Sequence, residues 1–302
     1  MSERDGGPVW RRFDPDDDWP ALLDLLCACY AADVADMEFY SLNLRATRDA
    51  GHSAVALDAS GGALAAYGVL WQGRFLASLI HPDIVDDRAY DRLIDWAVDA
   101  IERTGPGREY LWPLVRSDDQ RSIGMLERRG MTVADTELRM RRGLNDAVES
   151  FKPSHGFTIR SMDPEIELND WLDLYRDAIG DRPRAIERWR RYRDDPDYRR
   201  DLDLIAVDRE GKLAGACTAT IGRLEASCGR KEGRTEPVMI AVAHRGIGLG
   251  RALVSAALTA LRDAGMEYAA LTVEPDNAPA IGLYGSLGFQ TVYEAQWYGF
   301  SG

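Results

Sequence analysis

The sequence predicts an α/β chain of the α+β type, built as two tandem domains that each hold a mixed, mostly antiparallel sheet flanked by helices. Three observations lead there. The length of 302 residues exceeds what one ordinary core takes. The composition, 45% apolar and 29% charged, is that of a globular protein and excludes a collagenous, disordered or channel-like chain. The chain also repeats itself. Shifted by 158 positions, residues 107–131 overlie residues 265–289 without a gap, with identities at Gly107/Gly265, Glu109/Glu267, Tyr110/Tyr268, Val115/Val273, Asp118/Asp276, Ile123/Ile281, Gly124/Gly282 and Gly130/Gly288. The helical stretches before this window, 90–104 and 250–264, align once Gly105 and Pro106 are treated as an insertion. The expected division is a first domain over 1–145, a linker over 146–156 that lacks any apolar period, and a second domain over 157–302.

The second copy reads element by element. Residues 157–162 alternate like a strand, and 168–179 and 185–193 have helical spacing. Residues 202–207 and 213–221 flank a turn at 208–211 as an antiparallel pair. A strand over 236–242 precedes a helix over 249–264, whose Leu249, Leu253, Ala256, Ala257, Ala260 and Leu261 share a face and whose end is marked by Gly265. A strand over 268–274, a helix over 279–287 closed by Gly288, and a strand over 291–298 complete the copy. In the first copy, the acidic cluster Asp14, Asp16, Asp17 and Asp18 is expected to cap a helix starting near Trp19.

Composition narrows the partners. The net charge of −13 repels nucleic-acid phosphates and anionic lipid, so neither is an expected partner, and it leans slightly toward a cationic small molecule. Cys27, Cys29, Cys217 and Cys228 lack zinc-site spacing and are expected to be free thiols, with no metal bound. No run approaches the ~20 apolar residues of a membrane span, and the first residues lack a signal-peptide core, which gives a cytoplasmic expectation. Monomer and homodimer both remain open.

The chemistry concentrates in His244-Arg245-Gly246-Ile247-Gly248-Leu249-Gly250-Arg251, between a strand and a helix. Glycines there leave no side chains in the way of a ligand, and the start of the helix adds about half a positive charge, so the backbone amides suit a pyrophosphate. The dinucleotide fingerprint fails in both registers, because its last glycine falls on Arg251 or on Leu253. The Walker pattern fails for want of Gly-Lys-Ser/Thr. What the stretch resembles is the Arg-x-x-Gly-x-Gly signature of the GNAT superfamily of acetyl-CoA-dependent N-acetyltransferases, with Arg245, Gly248 and Gly250 at its defining positions. Asn277, Tyr284 and Gly288-Phe289 are similar to that family's second motif.

The resemblance implies strands that splay beside the signature and a coenzyme A that enters the opening. Backbone groups of Val238, Met239 and Ile240 would bond the pantetheine arm as an added strand does, and the amides of Gly246, Ile247, Gly248, Leu249, Gly250 and Arg251 would hold the pyrophosphate. Tyr284 matches the family's general acid, beside the plainer reading of a core aromatic on the stripe Ile281, Tyr284, Leu287. Glu236, at a strand entry, is the candidate base, with the plainer reading of an exposed strand-end acid and with Glu274 in reserve. Asn277 is a helix cap, a contact to the cofactor arm, or both.

The implied activity is acetyl transfer from acetyl-CoA to a primary amine of a small molecule by direct attack in a ternary complex. Transfer to a protein amine and acyl-CoA sensing without turnover stay open. The first copy departs from the pattern: Asp83-Ile84-Val85-Asp86-Asp87-Arg88-Ala89-Tyr90 replaces the glycine loop, Leu126 replaces Tyr284 and Asp119 replaces Asn277. It is expected to be a degenerate, non-catalytic GNAT-like scaffold. His52, His81 and His155 are read as surface or turn residues, His244 as a flank of the loop, and the arginine-rich run from 188 to 200 as an amphipathic helix and its exit.

Overall fold

The computed structural model describes residues 10–36, 53–58, 63–83, 87–104, 107–145, 148–153, 156–181 and 183–300. The chain forms two compact units, one of residues 1–137 with 293–302 and the other of residues 138–292. The first unit runs β1 (Trp10–Arg12), α1 (Trp19–Ala31), β2 (Ser53–Asp58), β3 (Leu64–Trp71), β4 (Phe75–Ile80), α2 (Asp87–Thr104), β5 (Trp112–Arg116) and α3 (Gln120–Arg128). Next comes β6 (Met131–Gly143), and then β7 (Thr158–Ser161), α4 (Pro164–Ala178), α5 (Pro183–Tyr192), β8 (Asp203–Val207), β9 (Leu213–Thr220), α6 (Arg223–Ser227), β10 (Glu232–Ile240), α7 (Leu249–Asp263), β11 (Tyr268–Val273), α8 (Ala278–Ser286) and β12 (Gln290–Phe300). No helix among the described residues is long and apolar enough to cross a membrane.

Each unit has a six-stranded sheet, ordered β1-β2-β3-β4-β5-β12 in the first and β7-β8-β9-β10-β11-β6 in the second. The pairs β4/β5 and β10/β11 are parallel, and the neighbours around them antiparallel. The sixth strand of each sheet comes from the other copy. Residues 138–143 of β6 pair with β11 in the second unit, and Ala295–Trp297 of β12 pair with β5 in the first. The expected boundaries were 1–145 and 157–302, and the two units divide after 137 and after 292. Sequence order assigns a strand to the copy that precedes it, whereas the hydrogen-bonding edge of β11 decides which strand completes the sheet. Within the expected linker, residues 148–153 fall in the second unit, where the Ser255 hydroxyl of α7 donates to the Glu149 carbonyl (2.5 Å) and accepts the Phe151 amide (3.4 Å).

The duplication is visible in its details. In both copies a strand glycine faces a helix leucine so closely that an added Cβ would meet it, Gly68 against Leu93 at 2.2 Å and Gly215 against Leu253 at 2.9 Å. Asp119 caps α3 by accepting the Ser122 amide (3.1 Å), as Asn277 caps α8 by accepting that of Ala280 (3.2 Å). An arginine on the first strand pairs with a carboxylate seven positions on, Arg11 with Asp18 and Arg160 with Glu167. Each of those carboxylates also accepts an amide four positions earlier, from Asp14 (2.7 Å) and Asp163 (2.8 Å). Asp18 is therefore spent on Arg11 and the turn, and α1 has no side-chain cap, contrary to the expectation for the acidic cluster. Cys29 and Cys217 are free and buried, while Cys27 and Cys228 are disulfide-bonded, which corrects the expectation of four free thiols.

The core of the second unit forms where the apolar face of α7, through Leu249, Leu253, Ala257, Leu258 and Leu261, meets Leu204, Ala206, Ala214, Ala219, Ala269 and Leu271 of the sheet. Each fully buried leucine is worth roughly 2 kcal/mol, enough to fix this helix whatever binds at its start. At the mouth of α4, the Arg160 guanidinium holds Glu167 below its ordinary 4.5, against the opposing pull of burial. A depressed carboxylate stabilises the fold above its unfolded pKa, and that contribution fades as pH falls through the folded value. Glu167→Gln should cost about 1 kcal/mol at pH 7, less for the exposure of its arginine, and the gap from wild type should narrow as pH falls below the ordinary 4.5. Urea melts of both proteins across pH 3–8 read it.

Candidate active site

The strands that frame the site start together and then part. β10 and β11 are paired at Glu232/Tyr268, Gly233/Ala269 and Arg234/Ala270, and no pairing follows. On its other side β10 stays paired with β9 through Val238/Cys217, Met239/Ala216 and Ile240/Gly215, after a register shift between Thr235 and Val238. The expected pantetheine strand, Val238 to Ile240, thus has its β9 edge satisfied and its β11 edge turned to the gap. The Met239 side chain is buried, and those of Val238 and Ile240 pack against the core beneath α7.

Below the gap a single helical turn, Val242–His244, leads into the loop. Gly246 (φ 78°) and Gly248 (φ 82°) occupy the left-handed region, which explains glycine at both places, and a Cβ at either would meet nothing within 4 Å. Gly248 is the N-cap of α7, and no side chain caps this helix. The first amides of a helix have no partner within it, so those of Leu249, Gly250 and Arg251 at the start of α7 follow an exposed stretch, 245–248, and no N-cap side chain accepts from them. Gly250 lies where a Cβ would press on Leu283 at 3.3 Å.

The expected loop residues separate into two groups. The Arg245 side chain turns back into the protein, donating to the carbonyls of Ala178 (2.9 Å) and Ile240 (3.3 Å), so it braces the loop against the end of α4. Asp177 of the same helix end accepts the Val242 amide at 2.9 Å, a contact that sequence reasoning missed because its residue lies far upstream. Arg251 reaches the Ser286 hydroxyl (2.9 Å) and stacks on the Phe151 ring (5.2 Å). The His244 ring packs edge-on against Phe157 at 5.2 Å.

The two candidate proton carriers stand on β10 and α8, close enough for Glu236 to act on the Tyr284 phenol. Tyr284 is 7% exposed, its ring set edge-on to Phe289 at 5.9 Å. Burial, joined by nearby Cys217 and Glu236, pushes its phenol above the ordinary tyrosine value. Glu236 sits in the gap itself: its Oε1 accepts from Arg234 Nε (2.7 Å) and from Arg234 Nη2, and its Oε2 lies 3.4 Å from the Thr272 amide on β11. The reserve acid, Glu274, is exposed at the end of β11, where its carbonyl accepts the Asn277 amide (3.1 Å). Asn277 is exposed and spends its Oδ1 on the cap of α8. Among the described residues no group of three or more His, Cys, Asp or Glu side chains could hold a metal ion.

The first copy repeats the frame without the fittings. Its parallel pair β4/β5 is joined only at Phe75/Trp112 and Leu76/Pro113. Leu126 is buried at the Tyr284 position. Of the segment that replaces the loop, residues 84–86 lie outside the described residues.

The comparisons with known proteins fit this geometry. Residues 167–289 match the Acetyltransferase (GNAT) family. This stretch is a GNAT acetyltransferase domain. The chain is 30% identical to a mycothiol acetyltransferase of Thermobispora bispora over 53% of its length and 55% of that protein's, so it spans about half of that relative. It is 29% identical to a Salinispora arenicola protein of the same name over 95% of each. Among solved structures it is similar in fold to a GCN5-related N-acetyltransferase from Sphaerobacter thermophilus (TM-score 0.72, 22% identity, 96% and 94% covered). A tandem GNAT protein from the clavulanic acid biosynthesis pathway is likewise similar in fold (TM-score 0.71, 14% identity, 96% and 97% covered).

Proposed function

We propose that the second unit moves an acetyl group from acetyl-CoA to a primary amine of a small-molecule acceptor, by direct attack with both substrates bound. The observation that carries this reading is the combination of strands that part beyond Arg234 and Ala270, a helix start without a side-chain cap after β10, and Glu236 on β10 close enough to Tyr284 to act on its phenol. Acetyl-CoA fits there because the open left-handed glycines and the amides of 246–251 suit a pyrophosphate, and the free edge of Val238 to Ile240 suits an amide-bearing arm. It supplies an acetyl group on a thiol leaving group.

The protein's part is positioning and proton handling. An alkyl amine with pKa near 10.4 is neutral in roughly one molecule in 2,500 at pH 7, so a base that takes the proton raises the reactive fraction. Glu236 Oε2, the less occupied oxygen of its carboxylate, is the atom assigned to receive it, directly or through a water. The departing thiol resembles cysteine, with pKa about 8.5, and Tyr284 keeps its proton at neutral pH and so has one to give. Asn277 orders the start of α8 and thereby Tyr284. Holding amine and thioester side by side contributes more than either proton transfer. The first unit is a scaffold without a coenzyme A site of its own.

The name borne by the relatives makes an amine on a thiol-bearing pseudo-disaccharide of the mycothiol kind the first acceptor to try. The test is release of free coenzyme A thiol from acetyl-CoA with a panel holding that amine, aminoglycosides, amino acids and peptide amino termini. Acceptor-dependent release with a small amine is expected. Tight coenzyme A binding without release for any amine makes the chain a sensor, and release with peptides alone makes it a protein acetyltransferase.

A further inference from the structure

The gap between β10 and β11 is crossed by a brace of side chains that the proton-transfer reading does not use. On β10, Arg234 grips Glu236 Oε1 through Nε and Nη2. The same Nη2 lies 3.4 Å from Thr272 Oγ1 on β11, and the Thr272 amide lies 3.4 Å from Glu236 Oε2. From beyond β11, Arg139 Nη1 donates to that hydroxyl oxygen at 2.9 Å. Arg139 is paired in register with Thr272 on β6, the strand that the first copy's sequence delivers to this sheet. It is 0% exposed, the most deeply buried cation of the group.

We propose that Arg234 is the positioning residue that holds Glu236 for proton removal, and that Arg139, through Thr272, fixes the far side of the brace. The amino-terminal half of the chain then completes the site of the carboxy-terminal half. This rests on Glu236 being the base. Two physical arguments support it. The Arg234–Glu236 pair is graded toward the gap, with side-chain exposures of 9% for the arginine and 26% for the acid, so the guanidinium is anchored and the carboxylate faces outward. A planar guanidinium gripping one oxygen from the side fixes the carboxylate plane and leaves the other oxygen to the substrate side. Thr272 cannot hold β11 to β10 by ladder bonds, because the strands have already parted, so the side-chain contacts set the width of the gap where Glu236 stands.

The experiment measures kcat, both KM values and thermal melting for Arg234→Gln, Arg234→Lys and Thr272→Val, each alone and on a Glu236→Gln background, and for Arg139→Lys alone and with Thr272→Val. Expected are a kcat loss on the order of 10- to 100-fold for Arg234→Gln with the acetyl-CoA KM within about twofold, and a partial recovery in Arg234→Lys. Thr272→Val should lose about threefold, and Arg139→Lys a similar factor that vanishes when Thr272 is already valine. On the Glu236→Gln background Arg234→Gln should change kcat by less than about twofold, because nothing remains to position. Equal losses on both backgrounds, or a loss confined to KM, overturn the brace while leaving Glu236 as base. If Arg234→Gln fails to fold, the lysine variant is judged by the same criterion. Wild-type turnover in Glu236→Gln itself removes the base and the brace together.

Discussion

Gly248→Asp should abolish coenzyme A binding while leaving the second unit folded. Gly248 stands at φ 82° with open space where a Cβ would go, so the substitution meets no clash. Aspartate is among the few side chains that tolerate the left-handed region, and the strain costs about 1 kcal/mol. The helix behind it is pinned by Leu249, Leu253 and Leu261 in the core, which the change does not touch. What changes is the sign of the cradle. A carboxylate at the N-cap is drawn to the same amides that would hold a diphosphate, and like charges brought together cost several kcal/mol. At 1.4 kcal/mol per tenfold, affinity should drop on the order of 1,000-fold. Calorimetric titration with coenzyme A, alongside a melting curve, reads both halves of the prediction. Binding within tenfold of wild type would move the diphosphate elsewhere.

Tyr284→Phe should lower kcat about 100-fold with little change in the acetyl-CoA KM. The ring is buried and packed on Phe289, and phenylalanine keeps that packing, so the loss isolates the hydroxyl. Burial holds the phenol protonated through the working range, so the wild-type rate should show no limb from tyrosine ionisation between pH 6 and 9. Steady-state kinetics with the preferred amine test this, and an unchanged kcat would return Tyr284 to the role of a core aromatic. In the first copy the matching position is Leu126, buried and without a proton to give.

Much of this was legible in the sequence because it rests on local rules. Gly246 and Gly248 stand where the backbone takes positive φ, Gly265 and Gly288 follow the ends of α7 and α8, and Asn277 caps α8 as its type and spacing foretold. The antiparallel pair β8/β9 closes over its turn as expected, with Asp208 Oδ1 accepting the amides of Glu210 and Lys212. The start of β10 at Glu232 and the short helix α6 were not legible, since Glu-Gly-Arg-Thr alternates no apolar face and Arg223–Ser227 is barely more than one turn.

By itself, the sequence determined the order of strands and helices and the glycines of the loop before α7, and it named Glu236 and Tyr284 as the proposed proton carriers. Element order and the loop glycines depend on residues within a turn or a strand of one another. Tertiary structure alone decided which strand completes which sheet, that the Arg245 side chain donates to the carbonyls of Ala178 and Ile240, and that Arg139 stands behind Thr272. Those outcomes join positions up to 133 residues apart, and they follow from which backbone edge and which buried oxygen were left to be satisfied once the local elements had packed.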